Sequence, residues 1–243
     1  MRTRAYDEIG RYYDRIYQAK DYANEARLLR RFIRQFGPDR ARRVLDVACG
    51  TGEHLRYLRQ WFEVSGVDAS RAMLDIARGK LPGVDLRLGS MMRFRLPRPV
   101  DAMTCLFSAI GYLRNEAEIR RAFRTFYRGL VPGGVVLVEP WLTPEQYSVG
   151  HLHLMEYRSA EVQIARMNVS RRSGAISTME MHYLIGDRRG VRHLVEPHRL
   201  RLTPIPRLLD LLRGAGFSAR FRRRTWPGGR GLLVGVKPRS ADD

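Results

Sequence analysis

The spacing of hydrophobic side chains changes along the chain and predicts two kinds of structure. Between residues 5 and 36, apolar and aromatic side chains recur at helical spacing, which predicts amphipathic helices that end at the "GPD" turn of residues 37–39. Beyond this turn, apolar runs such as "RVLDVAC", "EVSGVDAS" and "PGGVVLVEP" alternate with helix-period segments. This alternation predicts an α/β fold with a doubly wound parallel sheet.

A second pattern begins after residue 150. The segments "VQIARMNVS", "AISTMEMHYLI" and "VRHLVEPHRLRL" alternate with period two and are separated by "RRSG" and "GDRRG", so they predict antiparallel strands joined by tight turns. The α/β rhythm returns with a helix at "IPRLLDLLRGAGF" and strands at "ARFRRRTW" and "GLLVGVK". We therefore expect an α/β core at 44–140 and 203–239, an inserted acceptor-binding cap at 141–202, and helices at 1–43 that close over the ligand site of the core.

Composition narrows the class of protein. A chain of 243 residues with 44% hydrophobic content suits one domain with an insertion. No apolar run approaches the ~18 residues of a membrane span, and the N-terminal residues lack the apolar stretch of a secretory signal. Cys49 and Cys105 lie far apart without metal-type spacing. These features favour a cytoplasmic protein that does not contact a membrane.

The charge of the chain indicates an anionic partner. The net charge is +19, and most of the excess lies beyond residue 150. A basic region of this kind suits a phosphorylated small molecule or a nucleic acid. Arg192, Arg201 and Arg230 are candidates for phosphate contacts, because arginine binds phosphate in a bidentate manner. The Arg222–Arg224 run on an edge-like strand is expected to be solvated.

The stretch "VLDVACGTGEHL" reads as a strand, a glycine turn and a helix start. It lacks the third glycine of a dinucleotide motif and the Gly-Lys-Ser/Thr of a P-loop. Glu53, at the start of the helix, would repel a phosphate from that position. Asp68 ends the next strand and is placed to accept ribose hydroxyls, while Gly50 and Gly52 allow close backbone approach. S-adenosylmethionine (SAM) suits this turn, because its cationic tail tolerates carboxylates. The competing interpretation is a tight turn with a core-facing aspartate.

Together, "VLDVACGTG", the acid that ends strand two and "LVPGGVVLVEP" resemble the class I SAM-dependent methyltransferases. The resemblance implies a Rossmann-like doubly wound sheet, here with an inserted antiparallel β cap. At strand three, this chain has Ser90 where the family often has an acid, and the backbone amide of Met91 can still bind adenine. The residues that we expect to contact SAM are Tyr13, Ala48, Gly50, Gly52, Asp68, Ala69, Ser90, Met91 and Leu106.

A further resemblance covers nearly the whole chain. The segments "YYDRIYQAKDYANEA", "FSAIGYL", "VEPW", "MEMHY", "GVRH" and "GRGLLVGV" are similar to the sugar N,N-dimethyltransferases of deoxyamino-sugar biosynthesis. This implies transfer of methyl groups from SAM to an amine of a small molecule, namely the 3-amino group of a TDP-linked deoxysugar. The residues expected around this anionic nucleotide sugar are Tyr17, Tyr22, Glu139, Trp141, His182, Arg192 and Arg230.

The predicted reaction is an in-line displacement at a methyl group that is already activated, so positioning of the amine is the main task of the protein. The amine must be neutral, and desolvation under a cap lowers an ammonium pKa. His182 either accepts the proton as a catalytic residue or only forms hydrogen bonds. Trp141 is either a wall of the acceptor pocket or a core residue. We expect no metal site, because His151 and His153 share a strand face without a third ligand.

The sequence leaves three competing functions open, and it also allows the formation of a homodimer. An RNA methyltransferase would fit the net charge, but "FSAIGY" stands where base-amine methyltransferases have Asn/Asp-Pro-Pro-Tyr, and no nucleic-acid module is visible. The second function is methylation of a different small molecule, and the third is SAM binding without catalysis. The exposed cap strands could pair across a two-fold axis to form a homodimer.

Overall fold

The computed structural model describes residues 8–223, 225 and 228–239. Predictions that fall on other residues, such as the first positions of the 1–43 segment, the end of "ARFRRRTW" and Arg224, lie outside the described residues. In chain order, the elements are α1 (Gly10–Ile16), α2 (Tyr22–Phe36), β1 (Arg43–Val47), α3 (Glu53–Leu58), β2 (Glu63–Asp68), α4 (Arg71–Lys80), β3 (Asp85–Leu88), β4 (Val100–Cys105), α5 (Glu116–Gly129), β5 (Leu130–Val138), β6 (Leu152–Arg158), β7 (Val162–Ser173), β8 (Ile176–Asp187), β9 (Gly190–Arg201), α6 (Ile205–Arg213), β10 (Ser218–Arg222) and β11 (Leu232–Val236). A short 3-10 turn, Ala109–Tyr112, follows β4.

The main sheet has seven strands in the order β10-β11-β5-β4-β1-β2-β3. Strands β1 to β5 are parallel, whereas β11 pairs antiparallel with both β5 and β10. The strand order reverses between β1 and β4, and ligands of open α/β sheets bind at such a switch point, beyond the carboxyl ends of the strands. The predicted doubly wound fold class is confirmed.

The central strands are buried on both faces, as their continuous apolar runs predict. Leu45 and Val47 of β1 face a cluster that contains Phe123 and Phe126 of α5, while Val44 faces the cluster that contains Leu29 of α2. Because helices cover both faces, the loops at the carboxyl ends of β1, β2 and β4 rest on a rigid base.

The cap is a four-stranded antiparallel sheet in the order β6-β7-β8-β9. Its inner face packs on α1, where Ile9, Tyr12 and Ile16 join Ile164 and Ile185 in one apolar cluster. The edge strand β6 lies outside the three predicted period-2 segments. Its side chains are exposed or half-buried throughout, so burial imposes little alternation on its sequence.

The N-terminal segment forms two helices separated at residues 17–21. Asp21 begins the second helix as an N-cap, since its Oδ1 accepts a hydrogen bond of 2.9 Å from the backbone N–H of Asn24. Within the described residues, no helix is both long and apolar enough to cross a membrane.

Candidate functional site

A pocket opens where the strand order reverses, at the carboxyl ends of β1, β2 and β4. Most of the residues predicted to contact SAM line it, and so does Tyr22, which was predicted for the acceptor. Gly52 and Ser90 lie in adjoining turns rather than in the lining. The complete lining is Tyr13, Tyr22, Asp46, Ala48, Cys49, Gly50, Thr51, Glu53, His54, Asp68, Ala69, Ser70, Met73, Gly89, Met91, Leu106, Phe107, Ala109 and Tyr112.

The turn between β1 and α3 has a left-handed backbone at three positions. The φ angles are 60° at Ala48, 55° at Gly50 and 79° at Gly52. The backbone N–H groups of Ala48 and Cys49 donate to Val67 O at 2.7 and 3.2 Å, which fixes the turn against β2. A Cβ atom added at Gly50 would meet no heavy atom within 4 Å, so the space above this peptide is open to a ligand.

Gly52 supports the turn sterically. A Cβ atom at this position would lie 2.6 Å from Cδ1 of the buried Leu81. We therefore expect Gly52→Ala to lower the free energy of unfolding by about 2 kcal/mol, from left-handed strain and overpacking together. Gly83→Ala is a matched control, because Gly83 has φ of 80° and no heavy atom within 4 Å of an added Cβ. Both variants are measured by chemical denaturation. An equal decrease in the free energy of unfolding for the two variants would show that the contact with Leu81 does not contribute to the loss of stability.

Asp68 holds its carboxylate towards the pocket through two backbone groups. The N–H of Gly50 donates to Oδ2 and that of Ser70 donates to Oδ1, both at 2.8 Å. Burial raises the pKa of the Asp68 carboxyl, and the hydrogen bonds from Ser70 and Gly50 oppose this shift. Each carboxylate oxygen keeps a further lone pair, so a vicinal diol can donate to both.

Carboxylates dominate the polar part of the lining. Oδ1 of Asp46 accepts a hydrogen bond of 2.6 Å from Oγ1 of Thr104, and burial raises the pKa of Asp46 to about 6. Glu53 accepts a hydrogen bond of 2.6 Å from Nζ of Lys80. Together with Asp68, these groups suit a ligand with a ribose and a cationic sulfonium and ammonium. They would repel the pyrophosphate of a dinucleotide, and the residues present therefore fit SAM.

At the lining residue His54, the pocket borders a buried network that the sequence did not predict. Glu25 of α2 bonds to His54 Nε2 through Oε2 at 2.8 Å and to Lys20 through Oε1. Burial by itself would raise the pKa of the Glu25 carboxyl, but the hydrogen bonds from His54 and Lys20 outweigh it and lower the pKa. The Lys20 ammonium lies 5.0 Å from the ring centroid of Phe107. This network joins the N-terminal helices to the glycine turn.

Three residues predicted for the acceptor lie together between core and cap. Glu139 is only 2% exposed, and its Oε2 accepts a hydrogen bond of 2.7 Å from the N–H of Phe107, where φ is 51°. Arg230 lies over Trp141, with Cζ 4.6 Å from the ring centroid. Burial lowers the pKa of the Arg230 guanidinium, while the Glu139 carboxylate opposes that shift. Trp141 Nε1 donates to Ser177 Oγ of β8 at 2.9 Å and so bridges core and cap.

A second cation at this boundary was not predicted. Arg166 of β7 is 4% exposed and donates from Nη1 to the hydroxyl of Tyr17 at 2.7 Å. The ring of Tyr17 in turn lies 5.0 Å from that of Phe107. Within the part of the chain that the structure describes, the Nε atoms of Arg166 and Arg230 are buried and have no hydrogen-bond partner. The period-2 alternation of "VQIARMNVS" could have placed Arg166 on the inner face.

Two predicted residues lie away from the pocket. His182 is exposed on the outer face of the cap, where its Nδ1 lies 3.1 Å from His193 Nε2, because side chains alternate along β8 and Tyr183 takes the inner face. This corrects the expectation that His182 accepts a proton beside the donor. Arg192 donates to the hydroxyl of Tyr12 at 2.6 Å, at the contact between cap and α1.

One further sequence-based candidate has a local partner. Arg201 donates to Arg114 O at 3.3 Å, beside the start of α5. Among the described residues, no group of three or more His, Cys, Asp or Glu side chains is arranged to hold a metal ion. The described site therefore consists of a carboxylate-rich pocket in the core and an aromatic, cationic region beneath the cap.

Comparison with known proteins agrees with this geometry. Residues 44–134 match a family model described as a methyltransferase domain. A dTDP-3-amino-3,6-dideoxy-alpha-D-glucopyranose N,N-dimethyltransferase from Streptomyces fradiae is 39% identical over 233 residues, covering 94% of this chain and 91% of that protein.

Solved structures extend the similarity to the cap. The crystal structure of DesVI from Streptomyces venezuelae has a TM-score of 0.88 at 37% identity and covers 93% of this chain and 97% of DesVI. A SAM-bound structure of CalS10, an amino pentose methyltransferase from Micromonospora echinaspora, has a TM-score of 0.82 at 35% identity and covers 90% of this chain and 93% of CalS10. The resemblance predicted from the motifs is confirmed. The chain is a SAM-dependent N-methyltransferase and belongs to the sugar N,N-dimethyltransferase family of class I methyltransferases.

Proposed function

We propose that the acceptor is a TDP-linked deoxyamino sugar and that its 3-amino group receives the methyl groups. The observation that carries this proposal is the region beneath the cap where the buried Glu139 and Arg166 lie with the half-buried Trp141 and Arg230. It adjoins the SAM pocket, because Glu139 bonds to the lining residue Phe107. An aromatic wall with two arginines suits an anionic nucleotide, and a buried carboxylate suits an amine or hydroxyl of a sugar. The 39% identical relative from Streptomyces fradiae is named for a TDP-linked 3-amino sugar.

On the donor side, different parts of SAM contact chemically different parts of the pocket lining. Asp68 accepts the ribose hydroxyls, and Asp46 faces the ammonium of the amino acid tail. Bound SAM supplies an electrophilic methyl group. The backbone of the glycine turn approaches the ligand at Ala48 and Gly50, and Gly52 supports this turn from below. The adenine and the apolar parts of SAM contact Tyr13, Ala69, Met91 and Leu106, while Ser90 lies in the adjoining turn.

On the acceptor side, Arg230 contacts the pyrophosphate and Trp141 forms a wall. Tyr17 and Tyr22 form the entrance, and Glu139 holds a polar group of the sugar. Arg192 does not contact the acceptor. Its hydrogen bond to Tyr12 holds α1 against the cap. In this division, residues 1–43 close over SAM and 141–202 cover the acceptor, so the amine is desolvated and favours its neutral, nucleophilic form.

The acceptor class is tested by incubating the protein with methyl-labelled SAM and a panel of TDP-amino sugars, simple amines and bulk RNA. We expect label in a TDP-amino sugar and little in the other compounds. RNA is included because a net charge of +19 suits a polyanion. Transfer to RNA alone would overturn the proposed acceptor.

We also propose that two copies pack through the outer face of the cap. Leu152 and Leu184 on this face are 67% and 52% exposed, and the paired register of β6 to β9 makes the apolar surface continuous. A second copy is the proposed occupant, because Glu156 and Arg199 are both exposed at the border of this face and can pair across a two-fold axis. Within one copy, Glu156 pairs with Arg158 at 3.1 Å. The other large apolar residues exposed on this face are Leu154, Met167, Val169, Val191 and Val195.

The dimer is tested with a charge placed in the centre of the face. We expect Leu184→Arg to convert a dimer into a monomer in analytical ultracentrifugation, because a buried unpaired charge is costly. Leu88→Arg is the matched control, since Leu88 is 50% exposed and lies on β3, far from the cap. A wild-type monomer at micromolar concentration would refute the dimer.

The cytoplasmic location that we propose is supported by the two free, buried cysteines.

A further inference from the structure

The inner face of the cap changes from apolar to polar along β7. Val162 and Ile164 belong to the apolar cluster that packs on α1. The next three inner-facing residues are Arg166, Asn168 and Ser170, which are 4%, 4% and 8% exposed. Buried positions of a strand that covers only protein are usually apolar, so buried polar side chains are the informative exception. This run indicates that the middle of β7 covers a polar ligand.

Asn168 has the largest unused hydrogen-bonding capacity in this run. Within the part of the chain that the structure describes, its amide forms no hydrogen bond, whereas Arg166 already donates to Tyr17. An amide offers a carbonyl acceptor and an NH₂ donor in one plane, while Ser170 offers a single hydroxyl. Unpaired polar groups away from water are unfavourable, and a ligand that pairs with both removes this cost. Such a ligand presents a donor and an acceptor side by side.

The strand order of the cap places Asn168 away from the methyl donor. Strand β9 lies over the turn after β4, where the hydroxyl of Tyr112, which lines the SAM pocket, is 2.6 Å from Nδ1 of His198. Strand β7 is two strands further across the sheet, about 10 Å from β9. Because the amine of the acceptor must reach the SAM methyl group, the sugar lies on the β9 side. The nucleotide end of the acceptor therefore extends towards β7.

The side chains around Asn168 suit a flat, uncharged ring. Asn168 pairs with His153 in the register of β6 and β7. Burial and the charge of Arg166 lower the pKa of His153, so its imidazole is neutral at neutral pH and can stack on another ring. The thioether of Met155 contacts Arg166 on the same face, and thioethers pack well against aromatic rings. A nucleobase fits these neighbours better than a sugar hydroxyl does.

Resting on the proposed acceptor, we propose that Asn168 binds the thymine base of the TDP-linked sugar. The imide edge of thymine has an N3–H donor between two carbonyl acceptors. Oδ1 of Asn168 accepts from N3–H, and Nδ2 donates to a neighbouring carbonyl of the base. Arg166, one inner-facing position away, carries the charge that suits the adjoining phosphate. Asn168 is a specificity-determining residue for the nucleotide and takes no part in the methyl transfer.

The test measures the binding of TDP, N3-methylthymidine diphosphate and inorganic pyrophosphate by titration calorimetry in the presence of SAM. We expect Asn168→Leu to raise the Kd of TDP about thirtyfold, because two hydrogen bonds are lost, and to leave the Kd of pyrophosphate unchanged. The variant should also bind TDP and the N3-methyl compound equally, whereas wild type should prefer TDP at least tenfold. Gln163→Leu is the matched control, since it removes an exposed amide from the same strand.

The outcomes separate this proposal from the proposed function. If wild type methylates a TDP-amino sugar and Asn168→Leu binds TDP as tightly as the control, the base contact is refuted and the acceptor assignment stands. An equal loss of TDP and pyrophosphate binding would refute it too, since Asn168 would then contact phosphate. If wild type neither binds TDP nor methylates a TDP-amino sugar, both proposals fail. Asn168→Leu should resist denaturant at least as well as wild type, because it removes a buried unpaired amide. Should it not fold, equal binding of TDP and the N3-methyl compound by wild type would refute the contact.

Discussion

Replacing Asp68 with alanine is expected to raise the Kd of SAM about a thousandfold. Two ribose hydroxyls donate to this carboxylate in the proposed complex, and hydrogen bonds to charged groups contribute about 1.5–3 kcal/mol each. Their combined loss of about 4 kcal/mol corresponds to about a thousandfold in affinity. The variant also releases the N–H groups of Gly50 and Ser70, which the carboxylate holds at 2.8 Å. Titration calorimetry with SAM measures the effect.

A second substitution at this position separates charge from geometry. Asp68→Asn keeps the shape, but its NH₂ group must face either the N–H of Gly50 or that of Ser70, so one donor is left opposite another. We expect an intermediate loss of SAM affinity. Asp85→Asn is the control, because Asp85 is exposed at the start of β3 and pairs with Arg87. If Asp68→Ala bound SAM as tightly as the control, the ribose assignment would be rejected.

Replacing Arg230 with alanine is expected to raise the acceptor KM about 100-fold, with a smaller change in kcat. The guanidinium is largely buried beside Trp141, and its Nε has no hydrogen-bond partner within the described residues. A phosphate that binds there gains charge-assisted hydrogen bonds in a site with little water, at about 1.5–3 kcal/mol each. Steady-state kinetics at saturating SAM measure the effect.

The Arg230 result has two controls. Arg98→Ala removes an exposed arginine that pairs with Glu63 and should leave KM unchanged. The SAM Kd of Arg230→Ala should also match wild type, because Arg230 does not line the SAM pocket. A normal acceptor KM in this variant would remove Arg230 from the phosphate site. A raised SAM Kd would instead indicate that the two sites are coupled.

The core could be predicted because its signals are local. The strand, turn and helix start around Gly50 follow one another within a few residues, and Asp68 ends the next apolar run. Such segments fold in the same way wherever the sheet is parallel and covered by helices. The cap could be predicted from the change to period-two alternation of apolar and polar residues alone, because antiparallel hairpins leave this alternation in the sequence.

The parts of the site that could not be predicted from the sequence depend on contacts between distant segments of the chain. Glu25 and His54 meet only because α2 packs on α3, and Tyr112 meets His198 only because β9 returns over the turn after β4. The face of His182 was ambiguous, because β8 carries apolar residues on both faces and Leu184 shares the exposed one. Period two predicts that side chains alternate but does not say which set lies inside.

The central claim is that one site brings the SAM methyl group to the amine of a nucleotide-linked sugar. NMR of the product made with SAM that carries a stable isotope in its methyl carbon tests this directly. We expect labelled methyl carbon bonded to nitrogen, with a correlation to the sugar proton on the amine-bearing carbon. Label on a sugar oxygen or carbon, or no labelled TDP-amino sugar at all, would contradict it.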